Sequence, residues 1–102
     1  MMKIYQIRVW DAETKGGVDI DIPGALVNVE GVDVILHHTY RGAGQELDSH
    51  YWTATERRSG LLLTATRWNG TRKIALEEAR ERITRMGPEE MQKLISQYAV
   101  RD

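Results

Sequence analysis

Apolar and polar residues alternate along the first part of the chain in a pattern that predicts antiparallel strands. Residues 3–10 are rich in Ile, Val and aromatic side chains, which is typical of a strand. Residues 18–22 alternate between aliphatic and acidic side chains, which predicts a second strand with one face in water. Because proline and glycine favour turns, Pro23 and Gly24 predict the end of this first hairpin.

Two further apolar stretches meet at Gly31 and predict two more strands. They cover residues 25–30 and 32–38. The alternative is a helix over residues 25–36, which Gly31 and the run of valines disfavour. Residues 39–50 follow no regular period, so we expect a surface loop there.

The clearest hairpin signal comes from the middle of the chain. Residues 51–56 and 61–67 flank a short polar segment that includes Gly60, a residue able to adopt positive φ. With this hairpin the sequence predicts an antiparallel sheet of about five to six strands.

The C-terminal third predicts two helices. Thr71 is a good N-cap for a helix that runs to about Met86, Gly87 ends it, and Pro88 opens the next helix. The apolar residues follow helical spacing in both: Leu76, Ala79, Ile83 and Met86, then Met91, Leu94, Ile95 and Tyr98. We therefore expect an α+β fold in which both helices pack on one face of the sheet.

Length and composition narrow the class of protein. The 102 residues match a single domain spanning 1–102. The absence of cysteine excludes disulfides, thiol catalysis and thiolate–zinc sites. No apolar run approaches the about 20 residues of a membrane span, and no targeting segment is evident. We expect a cytoplasmic protein with no membrane partner.

Charge is distributed unevenly, although the net charge is only −1. Residues 1–36 sum to −3 and residues 37–75 sum to +3. All seven large aromatic residues are Trp or Tyr, whose polar tips suit half-buried rims and interfaces. The basic middle of the chain is therefore the first place to look for a binding surface.

The strongest candidate site is the start of the first helix. Arg72 and Lys73 lie in its first turn, where positive charge opposes the helix dipole. These cations oppose the preference of a helix start for negative charge, and they follow Trp68, whose ring can stack on a base. This combination indicates a phosphate contact. The alternative is that they are merely solvated, with Lys73 paired to Glu77. The predicted ligand-binding residues are Arg57, Arg58, Arg67, Trp68, Arg72 and Lys73.

A histidine-based site is the alternative chemistry. His37 and His38 are adjacent, so a strand would point them to opposite faces. His38, Asp48 and His50 would give a carboxylate–imidazole trio suited to zinc or to general-base catalysis, as in a small metal-dependent hydrolase. The preferred interpretation has no catalytic residue, no metal and no cofactor.

The C-terminal half also carries a resemblance. The stretch from Trp52 through Gly60 to Gly70-Thr71-Arg72-Lys73-Ile74-Ala75 resembles a hairpin-then-helix unit common in small uncharacterised proteins of phages and prophages. The resemblance implies an accessory protein of a mobile element, located in the host cytoplasm, and it implies no particular chemistry.

Together these observations favour a non-enzymatic binding module. We expect it to engage a protein or a nucleic acid through the basic surface formed by the hairpin and the helix start. Exposed edges of the strands at residues 3–10 and 51–56 also allow a homodimer.

Overall fold

A computed structural model describes residues 2–11, 16–41 and 46–99. Its elements in chain order are β1 Lys3–Asp11, β2 Gly16–Val29, β3 Val32–Arg41, β4 Glu46–Glu56, α1 Arg72–Met86 and α2 Pro88–Tyr98. The strands lie in the order β1-β2-β3-β4, and every neighbouring pair is antiparallel. The predicted α+β class, with an antiparallel sheet and two C-terminal helices, is confirmed.

β2 is one long strand that changes partner halfway along. It pairs with β1 as far as Gly24, opposite Lys3, and with β3 from Gly24, opposite His37. The prediction that Pro23 and Gly24 end the strand is therefore wrong. A Cβ at Gly24 would lie 2.7 Å from Ile35 Cγ2, so this glycine serves close packing at the change of partner, not a turn.

The predicted loop over residues 39–50 is largely strand. β3 continues to Arg41 and β4 begins at Glu46, while residues 42–45 lie outside the described part of the chain. The register shifts between His38 and Thr39, because His38 lies opposite Trp52 but Thr39 lies opposite Asp48. This β-bulge hides the strand period in the sequence.

The predicted strand at residues 61–67 contains only one isolated bridge, between Leu62 and Thr55, and a second bridge joins Asn69, just beyond it, to Trp52. Between the bridges the chain turns away because side chains bond locally. Thr64 Oγ1 donates to Thr66 O at 2.7 Å, and Thr66 Oγ1 accepts from Trp68 N at 3.1 Å. The described residues thus form four strands, fewer than the five to six predicted.

The helix boundaries agree with the sequence prediction. Thr71 caps α1 by accepting a hydrogen bond from Ile74 N at 3.1 Å, and Gly87 separates α1 from α2. Pro88 occupies the first turn of α2, where its missing N–H is harmless. Within the described residues, neither helix has the length and apolar character needed to cross a membrane.

Two apolar clusters lie on opposite faces of the sheet. The helix-side core joins the sheet to both helices and comprises Val29, Val32, Val34, Leu36, Ala54, Leu63, Ala75, Ala79, Ile83, Met91 and Ile95. The hairpin-side core comprises Ile7, Ile20, Ile22 and Ile35, so the β1–β2 hairpin folds over the other face. Burial on both faces makes β3 the centre of the fold.

The turn after β4 closes against β1. Glu56, 1% exposed, organises this turn by accepting hydrogen bonds from Arg58 N and from Ser59 N and Oγ. Gly60 has φ +77°, and a Cβ there would lie 2.0 Å from Arg8 O. Only glycine allows the turn and the β1 main chain to approach this closely.

Candidate functional site

A small cavity opens on the hairpin side of the sheet, between β1 and the segment that follows β4. Its volume is about 70 Å³. The lining residues are Ile7, Arg8, Val9, His37, Tyr40, Thr53, Thr55, Gly60, Leu62 and Arg67. One wall is aliphatic and the other carries imidazole, hydroxyl and guanidinium groups, which is the usual make-up of a ligand pocket.

His37 is held as a neutral imidazole of one tautomer. Its Nδ1 lies 2.7 Å from the carbonyl oxygen of His38, so Nδ1 carries the proton. Its Nε2 therefore accepts from Thr55 Oγ1 at 2.8 Å. Burial lowers the pKa of His37 from 6.5 to about 4; the hydrogen bond to His38 O opposes this shift, and the charges of His38 and Arg67 add smaller lowerings.

Two threonines fix the main chain of Arg67 to the sheet. Thr39 Oγ1 donates to Arg67 O, and the hydroxyls of Thr39 and Thr53 lie 2.8 Å apart. The guanidinium of Arg67 lies near enough to His37 to affect its pKa, and the residue is half-buried. Within the described part of the chain, no carboxylate pairs with it.

Trp68 lies on the outer surface beside this arginine. It is 49% exposed, and its ring meets Tyr51 edge to face with centroids 5.2 Å apart and planes at 84°. The edge contact orients the indole and leaves much of it in solvent. An exposed, oriented ring of this kind is a platform for stacking.

The loop leading into α1 is anchored, which places the first-turn cations firmly. Asn69, 4% exposed, donates from Nδ2 to Trp52 O at 3.0 Å and to Thr66 O at 2.8 Å. Arg72 and Lys73 are exposed, and no ion pair joins either to another described residue. The alternative pairing of Lys73 with Glu77 is absent from this part of the structure.

Four of the six predicted ligand-binding residues lie on residues 67–73, the segment that leads into α1. We call Arg67, Trp68, Arg72 and Lys73 the basic corner, with Tyr51 against the indole.

Arg57 and Arg58 lie at the other end of α1. Arg57 Nη1 is 3.8 Å from Oδ2 of Asp33, the second residue of β3, next to the β2–β3 turn. The C-terminal half of α1 reaches the same turn, where Thr84 Oγ1 donates to Glu30 Oε2 at 2.6 Å. The twelve residue steps from position 72 to 84 span about 18 Å of helix. Arg57 is therefore remote from the start of α1, and we define the basic corner without the two arginines of this turn.

The predicted trio of His38, Asp48 and His50 does not converge. Asp48 and His50 pair, with Oδ1 3.0 Å from Nδ1. The His38 ring instead packs on Trp52, with centroids 4.2 Å apart, because the regular register before the bulge sets these two residues opposite each other. Among the described residues, no three histidine or acidic side chains are arranged to hold a metal ion.

Sequence reasoning missed the cavity. Its polar wall comes from His37 opposite Thr53 and from Thr55 opposite Ile35, all on the hairpin side of the sheet. The available signal was the alternation of threonine and alanine over residues 53–55, which indicates one polar and one apolar strand face.

Neither a known protein family, nor a curated protein sequence, nor a solved structure matches this chain. The resemblance of residues 52–75 to phage proteins stays a prediction. The functional argument rests on the geometry of the cavity and the basic corner.

Proposed function

We propose that the protein is a non-enzymatic binding module that holds a single strand of nucleic acid on the basic corner. The observation that carries the proposal is the half-exposed ring of Trp68, oriented by Tyr51, beside cations that no carboxylate neutralises in the described structure. A stacking surface next to positive charge matches a base next to its phosphate.

The cations supply affinity that does not depend on sequence. Arg67, Arg72 and Lys73 each offer a charge to a phosphate, and binding then releases condensed counterions. Three phosphate contacts to a single strand give a slope of about −2 for log K against log salt. This slope is the signature that separates phosphate binding from an apolar protein contact.

The aromatic pair favours a single strand over a duplex. Stacking on an aromatic side chain contributes about 1–3 kcal/mol per base and requires an unpaired base face. Duplex binders neutralise on the order of 6–10 phosphates, more than three clustered cations can reach. The net charge of −1 adds no general attraction for a duplex.

An accessory role in a phage or other mobile element, in the host cytoplasm, is compatible with this activity. Support for that role comes only from the resemblance of residues 52–75. A homodimer through the β1 edge likewise stays a prediction, and analytical ultracentrifugation tests it.

The test is fluorescence anisotropy with labelled DNA and RNA strands of about 12 nucleotides, titrated at several salt concentrations. We expect Trp68→Ala to weaken binding about tenfold to a hundredfold, which corresponds to losing one stacked base. Arg72→Ala with Lys73→Ala is expected to reduce the salt slope from about −2 to about −0.7.

Two control variants sharpen the result. Lys93→Ala removes an exposed cation from α2, and Arg57→Ala removes one from the other end of α1, so neither is expected to change affinity. Absence of binding to both nucleic acids, or a salt response near zero, overturns the proposal and leaves a protein partner. Equal losses in Arg57→Ala and Arg72→Ala would contradict the location of the site.

A further inference from the structure

One charged group at the cavity is the guanidinium of Arg67. It belongs to a half-buried residue at the cavity, yet neither a carboxylate nor a hydrogen-bond acceptor within the described residues pairs with it. Charged side chains that leave bulk water are normally paired, because desolvation of an unpaired charge is costly. The nitrogens of Arg67 are not among the buried polar atoms that lack a partner in the described structure, so the guanidinium still meets water that an anion from outside the chain can replace.

We propose that the hairpin-side cavity is a binding site for a small oxyanion, a carboxylate or phosphate group, held by the Arg67 guanidinium. This site shares Arg67 with the proposed strand binding but goes beyond it, because it uses the interior of the cavity and not the exposed face of Trp68. A free small molecule and the terminal phosphate of a nucleic-acid strand are two sources of the same chemical group.

The hydrogen-bonding capacity of the cavity fits an acceptor-only ligand. Among the lining residues, the Thr55 hydroxyl donates to His37, the Thr53 hydroxyl donates to Arg67 O, and the Arg8 guanidinium pairs with Asp19, so these donors are already used. The donors left are the Arg67 guanidinium and the Tyr40 hydroxyl, which makes no hydrogen bond to any other residue described. A cavity that offers free hydrogen-bond donors and no free acceptors favours an anionic ligand over a cation or over a neutral ligand that donates hydrogen bonds.

The size of the cavity limits the ligand to a small group. A volume of about 70 Å³ corresponds to roughly five to seven water-sized spheres. That space accommodates a carboxylate or phosphate with a short substituent and excludes a nucleobase together with its sugar. The aliphatic wall of Ile7, Val9 and Leu62 suits the carbon atoms attached to the anionic group.

His37 lies within the electrostatic reach of Arg67. Burial is the main cause of the low pKa of His37, and the charges of His38 and Arg67 lower it further. His37 is therefore neutral at pH 7 and adds no competing positive charge. A bound anion would offset the Arg67 charge, which the histidine ring would sense directly.

The experiment is a titration of ¹⁵N-labelled protein with sodium phosphate and, separately, with butyrate, at constant ionic strength, followed by NMR. We expect saturable shifts of the amides of Thr53, Thr55 and Leu62. Arg67→Met should abolish saturation, whereas Arg67→Lys should weaken binding several-fold, because an ammonium cannot reproduce the bidentate contact. Tyr40→Phe should weaken it by a smaller factor, and Lys93→Ala should leave it unchanged.

Each outcome has a defined meaning. Absence of saturable shifts with both anions, or the same shifts in Arg67→Met, overturns the proposal. The main-chain contacts of residue 67 remain in that variant, and an otherwise unchanged spectrum verifies its fold. Tighter binding of a 5′- or 3′-phosphorylated strand than of its unphosphorylated twin, lost in Arg67→Met, identifies a terminal phosphate as the source.

Saturation by the free anions without that discrimination identifies a small molecule as the source. The two proposals also fail separately. Trp68→Ala tests strand binding and is expected to leave the anion-induced shifts of the cavity amides in place.

Discussion

Ile35 and Leu36 are neighbours on β3, both fully buried, and their side chains enter different interiors. Leu36 points into the helix-side core, an apolar cluster closed by α1 and α2. Ile35 points into the hairpin-side core, beside the polar wall formed by His37, Thr53 and Thr55. The helix side is built for stability, while the hairpin side gives up some apolar packing and gains a cavity with donors.

The largest loss of stability is expected from a substitution at Gly60, where the absence of a side chain makes room for β1. Gly60→Ala places a Cβ 2.0 Å from Arg8 O and also strains a φ of +77°. We expect a loss of more than about 4 kcal/mol, because β1 must move away and the hairpin-side core opens. Chemical denaturation monitored by tryptophan fluorescence measures it.

Gly31→Ala is the matched control for that variant. Gly31 also has positive φ, at +87°, but a Cβ there meets nothing within 4 Å. It should lose only about 1–2 kcal/mol, the cost of a left-handed conformation. Equal losses in the two variants would show that the turn does not press on β1.

Truncation on either side of β3 compares the two interiors directly. Leu36→Ala is expected to destabilise by about 3–5 kcal/mol, because two helices hold the surrounding apolar atoms in place. Ile35→Ala is expected to lose less, about 2–3 kcal/mol, since the hairpin can settle and water can reach nearby polar groups. Urea unfolding of both variants measures the difference, and a larger loss at Ile35 would reverse our ranking of the two cores.

Acid should weaken the hairpin side through His37. Its folded pKa of about 4 lies below the unfolded value of 6.5, so the unfolded chain binds the proton more readily between these values. Stability from this group is complete above pH 6.5 and falls as the pH approaches 4, by about 3 kcal/mol in total. Unfolding of wild type and His37→Gln across pH 4–7 measures it. Identical slopes would remove the histidine from the explanation.

The smallest effect is expected at the basic corner, outside both cores. Lys73→Glu replaces a cation in the first turn of α1 with an anion, which the helix dipole favours by about 0.3–1 kcal/mol. Stability should rise slightly while strand affinity falls. Thermal unfolding and anisotropy on the same sample measure both. A loss of stability would mean that Lys73 has a structural partner.

Local patterns in the sequence predicted the elements whose signals are local. β1, the Thr71 cap, Gly87 and Pro88 are examples, because a cap or an alternating strand is specified by adjacent residues. The continuation of β2 through Pro23 was missed because pairing with two different strands outweighs the turn preference of Pro-Gly. No short window contains that information.

The parts of the candidate site also differ in whether a local sequence pattern can predict them. Arg67, Trp68, Arg72 and Lys73 are close in sequence, so the basic corner could be proposed from the sequence alone. The cavity was missed because it needs Ile7, His37 and Leu62, which only the folded chain brings together. Arg57 was grouped with the corner from its position in the sequence, whereas the structure pairs it with Asp33.

The contact between Arg8 and Gly60 joins positions 52 residues apart, whereas β2, β3 and β4 join through short connections. Contacts between residues close in sequence form quickly, and contacts between distant residues form late. Docking of β1 against the turn after β4 should therefore be the last step of folding. Before β1 docks, the cavity lacks the wall that β1 supplies. A ligand of the cavity therefore binds only the fully folded protein. By mass action, such a ligand would raise the population of fully folded protein, so filling the cavity would prolong the time that the protein stays folded.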